Sequence, residues 1–277
     1  MMAKSLILSL SLLLAVVARA QTADCLDRGF VDSLIRHYLT SPDGPLRGNY
    51  NDPRWGKYAD SVLLICPDAA EAYQLKAIPA LKSGDYETAF RLNNKAVQID
   101  PANYLDYRAF LKCIFTKDFE GALADFNKCL ESKPTGGLMD HSYRFFAGIC
   151  YMELGKYREA EESLLKDIAL QKEGDANRTP HFNSLLYTGL LYYRMGEMAK
   201  ARSFFLETVT AYEQHPEANY YLGMIAKKEN NTPLAQNYFA IARRSMKTGY
   251  RMNEDNIYYA NYPGQITIYE IEKEQQR

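Results

Sequence analysis

The sequence predicts an all-α fold of stacked helix pairs, an α-solenoid, and three observations predict it. First, one phrase recurs with variation. It reads GDYETAFRLNNKAVQIDP from Gly84 to Pro101 and KDFEGALADFNKCLESKP from Lys117 to Pro134. It returns as GKYREAEESLLKD from Gly155, GEMAKARSFFLETV from Gly196 and NNTPLAQNYFAIA from Asn230. A unit of about 34 residues that repeats in this way stacks on its neighbours instead of closing around one core. Second, most copies keep their small and turn-forming residues in place, with Gly or Asn at the turn in four of the five, Ala inside the following helix and often Pro at the end. Third, 22 Tyr and 12 Phe supply rings that pack well between helices. Solenoids usually present a binding surface, so the architecture also bounds the function.

The first twenty residues form a separate object. Lys4 is a short basic start, Leu6 to Val17 is an apolar run, and Ala18-Arg19-Ala20 is a small-x-small cleavage site. That is the layout of a secretory signal peptide, and the run is too short to span a bilayer. Cleavage is expected after Ala20, with residues 21–277 exported to the periplasm or cell exterior. Removing Lys4 and Arg19 takes the formal charge from −1 to −3. Near-neutrality argues against a broad nucleic-acid or anionic-membrane footprint. No later stretch is apolar for long enough to cross a membrane.

All five cysteines lie beyond that cleavage point, so at least one is unpaired within the chain. None has metal-ligand spacing, and most read as small buried hydrophobes. Cys25 and Cys66 both lie outside the clear repeats. They are the pair to test for a disulfide, which would staple the N-terminal end.

The repeats themselves can be read position by position. In the first, Tyr73 and Ala77 lie on helix A, Gly84-Asp85-Tyr86 makes the turn, Ala89 and Ala96 lie on helix B, and Pro101 ends the unit. Gly tolerates the left-handed conformation that a helix end often needs, Ala lets two helices approach, and Pro cannot continue a helix. The second keeps Ala122 and Pro134, but its turn at Lys117-Asp118-Phe119 is a residue short and lacks Gly. It also puts Leu111 where a small residue is usual, so wider spacing is expected there. The third has Gly148, Tyr151, Gly155, Tyr157 and Ala160; the fourth has Gly189, Tyr192, Gly196, Ala201 and Phe205; the fifth has Gly223, Ala235, Phe239 and Ala242. Thr135-Gly136-Gly137 and Gly174 to Pro180 are turn-rich and read as lengthened joints.

These positions resemble the tetratricopeptide repeat (TPR) family over about two-thirds of the chain. The resemblance implies a right-handed superhelix of about five helix-turn-helix repeats, over 70–103, 104–136, 141–174, 182–215 and 216–249. An N-terminal helical pair, within 21–69, is expected to cap it. Asp27 to Leu39 and Trp55 to Cys66 have helical patterns, divided by the loop Ser41 to Pro45. The tail, 250–277, has no repeat signal, and Ile266 to Tyr269 reads equally as strand or helix start.

In this family the concave face is lined by fixed positions of each helix A. Carried over, the partner-binding residues are Gln74, Arg108, Lys112, Phe145, Phe146, Tyr187, Tyr193, Arg194, Tyr220, Tyr221 and Lys227. Gln74 and Ile78 occupy two positions where some members clamp a terminal carboxylate with Lys and Asn, so that clamp is not expected. Rings with polar tips suit a peptide or protein groove. However, Phe182, Leu185, Leu186, Gly189, Leu190 and Tyr193 form a stripe that Leu191 and Tyr192 extend almost all round the helix. A helix apolar on every side is normally buried on every side. Two readings therefore stand: an open groove awaiting a partner, which is preferred, or one filled by the Tyr-rich tail at Tyr258, Tyr259, Tyr262 and Tyr269.

No catalytic or metal constellation accompanies His37, His141, His181 or His215, and no cofactor is implied. His141 and His181 fall near helix starts and read as polar surface residues. Glu161-Glu162, Lys227-Lys228 and Arg243-Arg244 read as solvated faces. The chain is expected to be a non-enzymatic scaffold or assembly factor that binds a protein or peptide. The alternative is a carbohydrate-binding or uptake accessory of the cell envelope.

Overall fold

The computed structural model describes residues 25–40, 52, 54–252 and 262–276. The expected signal peptide, the loop Ser41 to Pro45 and two of the tail rings, Tyr258 and Tyr259, lie outside the described residues. The chain divides into two compact units, residues 1–108 and 109–277. It is all-α apart from one short hairpin among the described residues.

The first unit opens with α1 (Arg28–Ile35), capped by Asp27, whose carboxylate accepts from Gly29 N–H at 2.8 Å. The helix winds on through a π-helical turn, Arg36–Thr40. Next come α2 (Arg54–Ile65), α3 (Ala70–Ser83) and α4 (Tyr86–Ile99). Ile35, Leu39, Ala59, Val62, Cys66, Ala69 and Ala72 bury together, so the N-terminal pair shares one core with α3. The Trp55 indole N–H donates to Leu75 O at 2.7 Å and ties α2 to α3. Cys25 and Cys66 are joined by a disulfide, S–S 2.00 Å, across a sequence separation of 41. Gly84, at φ 84°, ends α3 in the left-handed conformation, and Asp85 caps α4 by accepting from Thr88 N–H at 3.1 Å. The α3–α4 turn thus pairs a residue without Cβ with a short acceptor side chain, as the helix-end rules require.

Helix α5 (Pro101–Leu111) ends in a second π-helical turn, Lys112–Thr116. The irregular second repeat is explained here. Buried Ala109 stands one residue further from the turn than Ala77 stands from Gly84. The π turn takes up that extra residue. A one-residue insertion widens the helix locally and leaves the helices on either side in register. The crossing position therefore belongs to Ala109, not Leu111, and the turn is full length. Lys117 adopts the left-handed conformation at φ 57° in place of glycine. Asp118 then caps α6 (Phe119–Ser132), accepting from Gly121 N–H at 2.9 Å.

The second unit continues with α7 (Tyr143–Glu153), α8 (Tyr157–Gln171), α9 (Phe182–Met195), α10 (Met198–Ala211), α11 (Pro216–Lys228), α12 (Thr232–Lys247) and α13 (Ile268–Gln275). They pack as successive antiparallel pairs: α7 with α8, α9 with α10, and α11 with α12. The glycines at the crossings are there for space. A Cβ on Gly189 would stand 2.7 Å from the Phe205 ring, one on Gly223 2.6 Å from Phe239, and one on Gly148 2.6 Å from Leu164. In each case a bulky helix B side chain fills the volume that helix A leaves free. Gly189→Ala is accordingly expected to destabilise the protein by about 1–3 kcal/mol through overpacking. A thermal melt checks this, and an unchanged midpoint would show that the crossing is looser than the ring contact implies.

The two long joints are tied together. Thr135 to Gly137 leads into a hairpin, Gly137–Leu138 paired antiparallel with His141–Ser142, where sequence reading expected a plain loop. Ser142 Oγ donates to wholly buried Asp167 at 2.6 Å and accepts from Phe145 N–H at 3.1 Å. Gln171 bridges the second joint, donating to Asp167 and to Ser184, each at 2.9 Å, and accepting from His181 N–H at 2.7 Å. A cavity of about 460 Å³ opens between these joints.

Candidate functional site

The site follows from the A helices of the second unit, α7, α9 and α11. Phe145, Phe146 and Tyr187 are fully buried, and Tyr193, Tyr220 and Tyr221 are partly so. Residues 262–276 lie across α9 and α11. Buried Tyr187 donates its hydroxyl to Pro263 O at 2.7 Å, and Tyr221 donates to Gly264 O at 3.4 Å. Gly264 is at φ 80°, and a Cβ there would stand 2.8 Å from Leu190 Cδ1. Only glycine allows that backbone so close to the helix. Ile266 and Ile271 then bury against Ala226, Ala235, Phe239, Ala242 and Met246. Ile266 and Thr267 precede α13, which begins at Ile268, so the stretch read as strand or helix is an approach followed by a helix. Glu270 closes the start of α13 by accepting from Thr267 N–H at 2.5 Å.

Charge complements shape. Lys227 pairs with Glu274 at 2.5 Å, Arg243 with Glu272 at 3.0 Å, and Lys247 with the same Glu272 carboxylate at 3.9 Å. The cations on α11 and α12 that sequence reading placed on a solvated face thus hold an acidic helix. Two tyrosines act on backbone carbonyls, apolar pockets take two isoleucines, and basic residues take two carboxylates. That is the chemistry of peptide recognition, and here the bound segment is the chain's own.

Each predicted site residue can be placed. Gln74 is half-buried on α3, and Arg108 donates to Asn94 Oδ1 at 3.0 Å. Lys112 pairs with buried Asp125 at 2.7 Å. Phe145, Phe146 and Tyr187 have no exposed surface, so they are core and not an open lining. Tyr221 stacks on Phe205, centroids 5.5 Å apart, and meets Tyr193 edge-on at 5.3 Å. Tyr220 packs on Phe239 at 5.8 Å. Tyr193 carries Lys228 over its ring at 4.3 Å, and Arg194 pairs with Glu153 at 2.7 Å. The preference for an open groove gives way, over α9 and α11, to a face covered by residues 262–276.

A family profile described as tetratricopeptide repeat matches residues 145–216. Over that stretch the chain is similar to the tetratricopeptide-repeat family. The matched stretch runs from within α7 past the end of α10 and includes the lengthened joint between α8 and α9. Solved TPR-like structures share the fold. The type IV pilus biogenesis factor PilW superposes with TM-score 0.61 at 19% identity, over 73% of this chain and 89% of that one. PilF of Pseudomonas aeruginosa gives TM-score 0.59 at 20% identity, over 79% and 95%. MamA of Desulfovibrio magneticus RS-1, from residue 41 of that protein, gives 0.52 at 16%, over 65% and 96%. At these identities the likeness is one of fold. No curated protein matches this chain in sequence.

The buried polar groups of the second unit are only partly legible in the sequence. His215 is wholly buried and caps α11, its Nδ1 accepting from Ala218 N–H at 3.4 Å. Pro216 at the first helical turn was the available signal, because it marks the residue before it as a cap. His141, read as a surface residue, stacks on Phe145 at 4.1 Å and meets His181 edge-on at 4.6 Å. Burial, and then the nearby His181, pushes both His141 and His215 down to about 3. Burial pushes wholly buried Glu217 up to about 7.

The pH dependence follows. His141 and His215 stay neutral in the folded chain down to about pH 3, whereas the unfolded chain protonates them near 6.5. Their contribution is whole above 6.5 and is lost as pH falls. Glu217 acts oppositely: its contribution is whole below 4.5 and is lost as pH rises to about 7. Two histidines outweigh one carboxyl below 6.5. The melting temperature is therefore expected to peak between about pH 6.5 and 7 and to fall on acidification. Calorimetry across pH 4–9 checks this, and a peak below pH 5 contradicts it.

Proposed function

We propose that this chain is an exported, non-enzymatic TPR scaffold that holds a peptide segment of a partner protein on the A-helix faces of its repeats. One observation carries the reading: the α9–α11 face binds an extended-then-helical peptide, its own residues 262–276, through Tyr187, Tyr221, Lys227 and Arg243. Export is supported by the leader-like Lys4 to Ala20 and by the Cys25–Cys66 disulfide, since disulfides persist in oxidising compartments. No helix among the described residues is long and apolar enough to cross a membrane. Of the rings a sugar could use, Phe145 and Tyr187 offer no free face.

Selection of a displayed peptide library on the full-length protein tests the reading. Enrichment of one peptide class, with binding weakened by Lys227→Glu, supports it. Glycan binding with no peptide enriched overturns it.

A further inference from the structure

Glu217 lies at the start of α11 beneath the C-terminal segment, wholly buried, and neither carboxyl oxygen has a partner of good hydrogen-bond geometry. A buried carboxylate in that state is costly, whereas a neutral carboxylic acid is tolerated. The groups around it do not supply the missing charge. On α11, His215 Nδ1 stands 3.4 Å from Glu217 Oε2, but that nitrogen already accepts from Ala218 N–H, as a neutral imidazole does. Tyr221 on the same helix and Tyr187 on α9 complete the surroundings on that side. After α12, Arg251 acts on the carboxyl from a distance, with its guanidinium donating to Met246 O at 2.6 Å and Tyr250 O at 2.7 Å. On the segment itself, the Ile266 N–H offsets burial only in part, and the Glu270 carboxylate adds repulsion.

We propose that Glu217 is a proton-operated latch for the C-terminal segment. Residues 262–276 stay docked on the α9–α11 face while this carboxyl is protonated and leave when it ionises. Departure of Ile266 admits water to the carboxylate, which then returns to its ordinary behaviour. Between an ordinary value of 4.5 and a docked value of about 7, the docked-to-free ratio falls about 300-fold as pH rises through that window. Partner access to the vacated face rests on the function proposed above. The latch itself does not, and its test involves no partner.

Hydrogen exchange of residues 262–276 in the full-length protein, corrected for intrinsic rates and measured at pH 5.5 and 8.5, tests the latch. The expected result is a protection loss of about tenfold or more in the wild type, and retained protection at pH 8.5 in Glu217→Gln. Equal losses in both proteins, or no loss in the wild type, overturn it. If Glu217→Gln fails to fold, carbon-13 titration of Glu217 in the wild type decides. A midpoint near 7 that coincides with the rise in tail exchange supports the latch. A midpoint near 4.5, or one uncoupled from exchange, overturns it.

Discussion

Phe146→Ala is expected to lower the stability of the second unit by about 3–5 kcal/mol, the range for emptying a buried phenylalanine site. Phe146 has no exposed surface and stands at the centre of a ring cluster. It stacks on Phe126 with centroids 5.4 Å apart and planes 4° from parallel, and it meets Phe110 at 5.5 Å and Phe145 at 5.2 Å edge-on. Those rings come from α5, α6 and α7, so one truncation loosens the joint between two repeats. Neighbouring rings fixed on separate helices cannot collapse fully into the void. A fall of roughly 10 °C in melting temperature is expected for a unit of this size. A shift below about 2 °C would mean that the cluster repacks freely and does not set the repeat spacing.

Deleting residues 250–277 is expected to have a comparable effect for a different reason. Tyr262, Ile266 and Ile271 are buried, and losing each such side chain removes about 1.5–3 kcal/mol of burial. The deletion also strips cover from the hydroxyl of Tyr187 and from Leu190, Ala226 and Phe239. Increased hydrogen exchange in α9, α11 and α12, with new binding of a hydrophobic dye, is the expected signature. Exchange in α3 and α4 of the first unit is expected to stay unchanged. Unaltered stability and solubility would show that the segment covers nothing of consequence.

The parts of the fold legible in the sequence rest on local rules. Gly84 and Gly196 end helices in the left-handed conformation, and the crossing glycines answer Leu164, Phe205 and Phe239, which recur in step with them. The π turn was hidden because Lys117 replaces glycine at a left-handed position and the extra residue lies inside the helix. Coverage of the groove was the harder question. Tyr187 meets Pro263 across a sequence separation of 76, and an all-round apolar helix looks the same whether its cover is a partner or the chain itself. The environment of Glu217 is not legible in the sequence, because it is assembled from α9, α11, Arg251 and Ile266.

On the function proposed above, the α9–α11 face is a peptide-binding face whose resident ligand is residues 262–276. The most direct measurement inserts a specific protease site within residues 253–261, folds the intact chain, cleaves it and follows the released segment. At pH 5.5, where Glu217 is protonated, the cut segment is expected to stay bound at a 1:1 ratio and co-elute. Exchange with added synthetic peptide of the same sequence is expected too, with faster dissociation in Tyr187→Phe or Lys227→Glu. Immediate loss of the segment from a body that stays folded would contradict the claim.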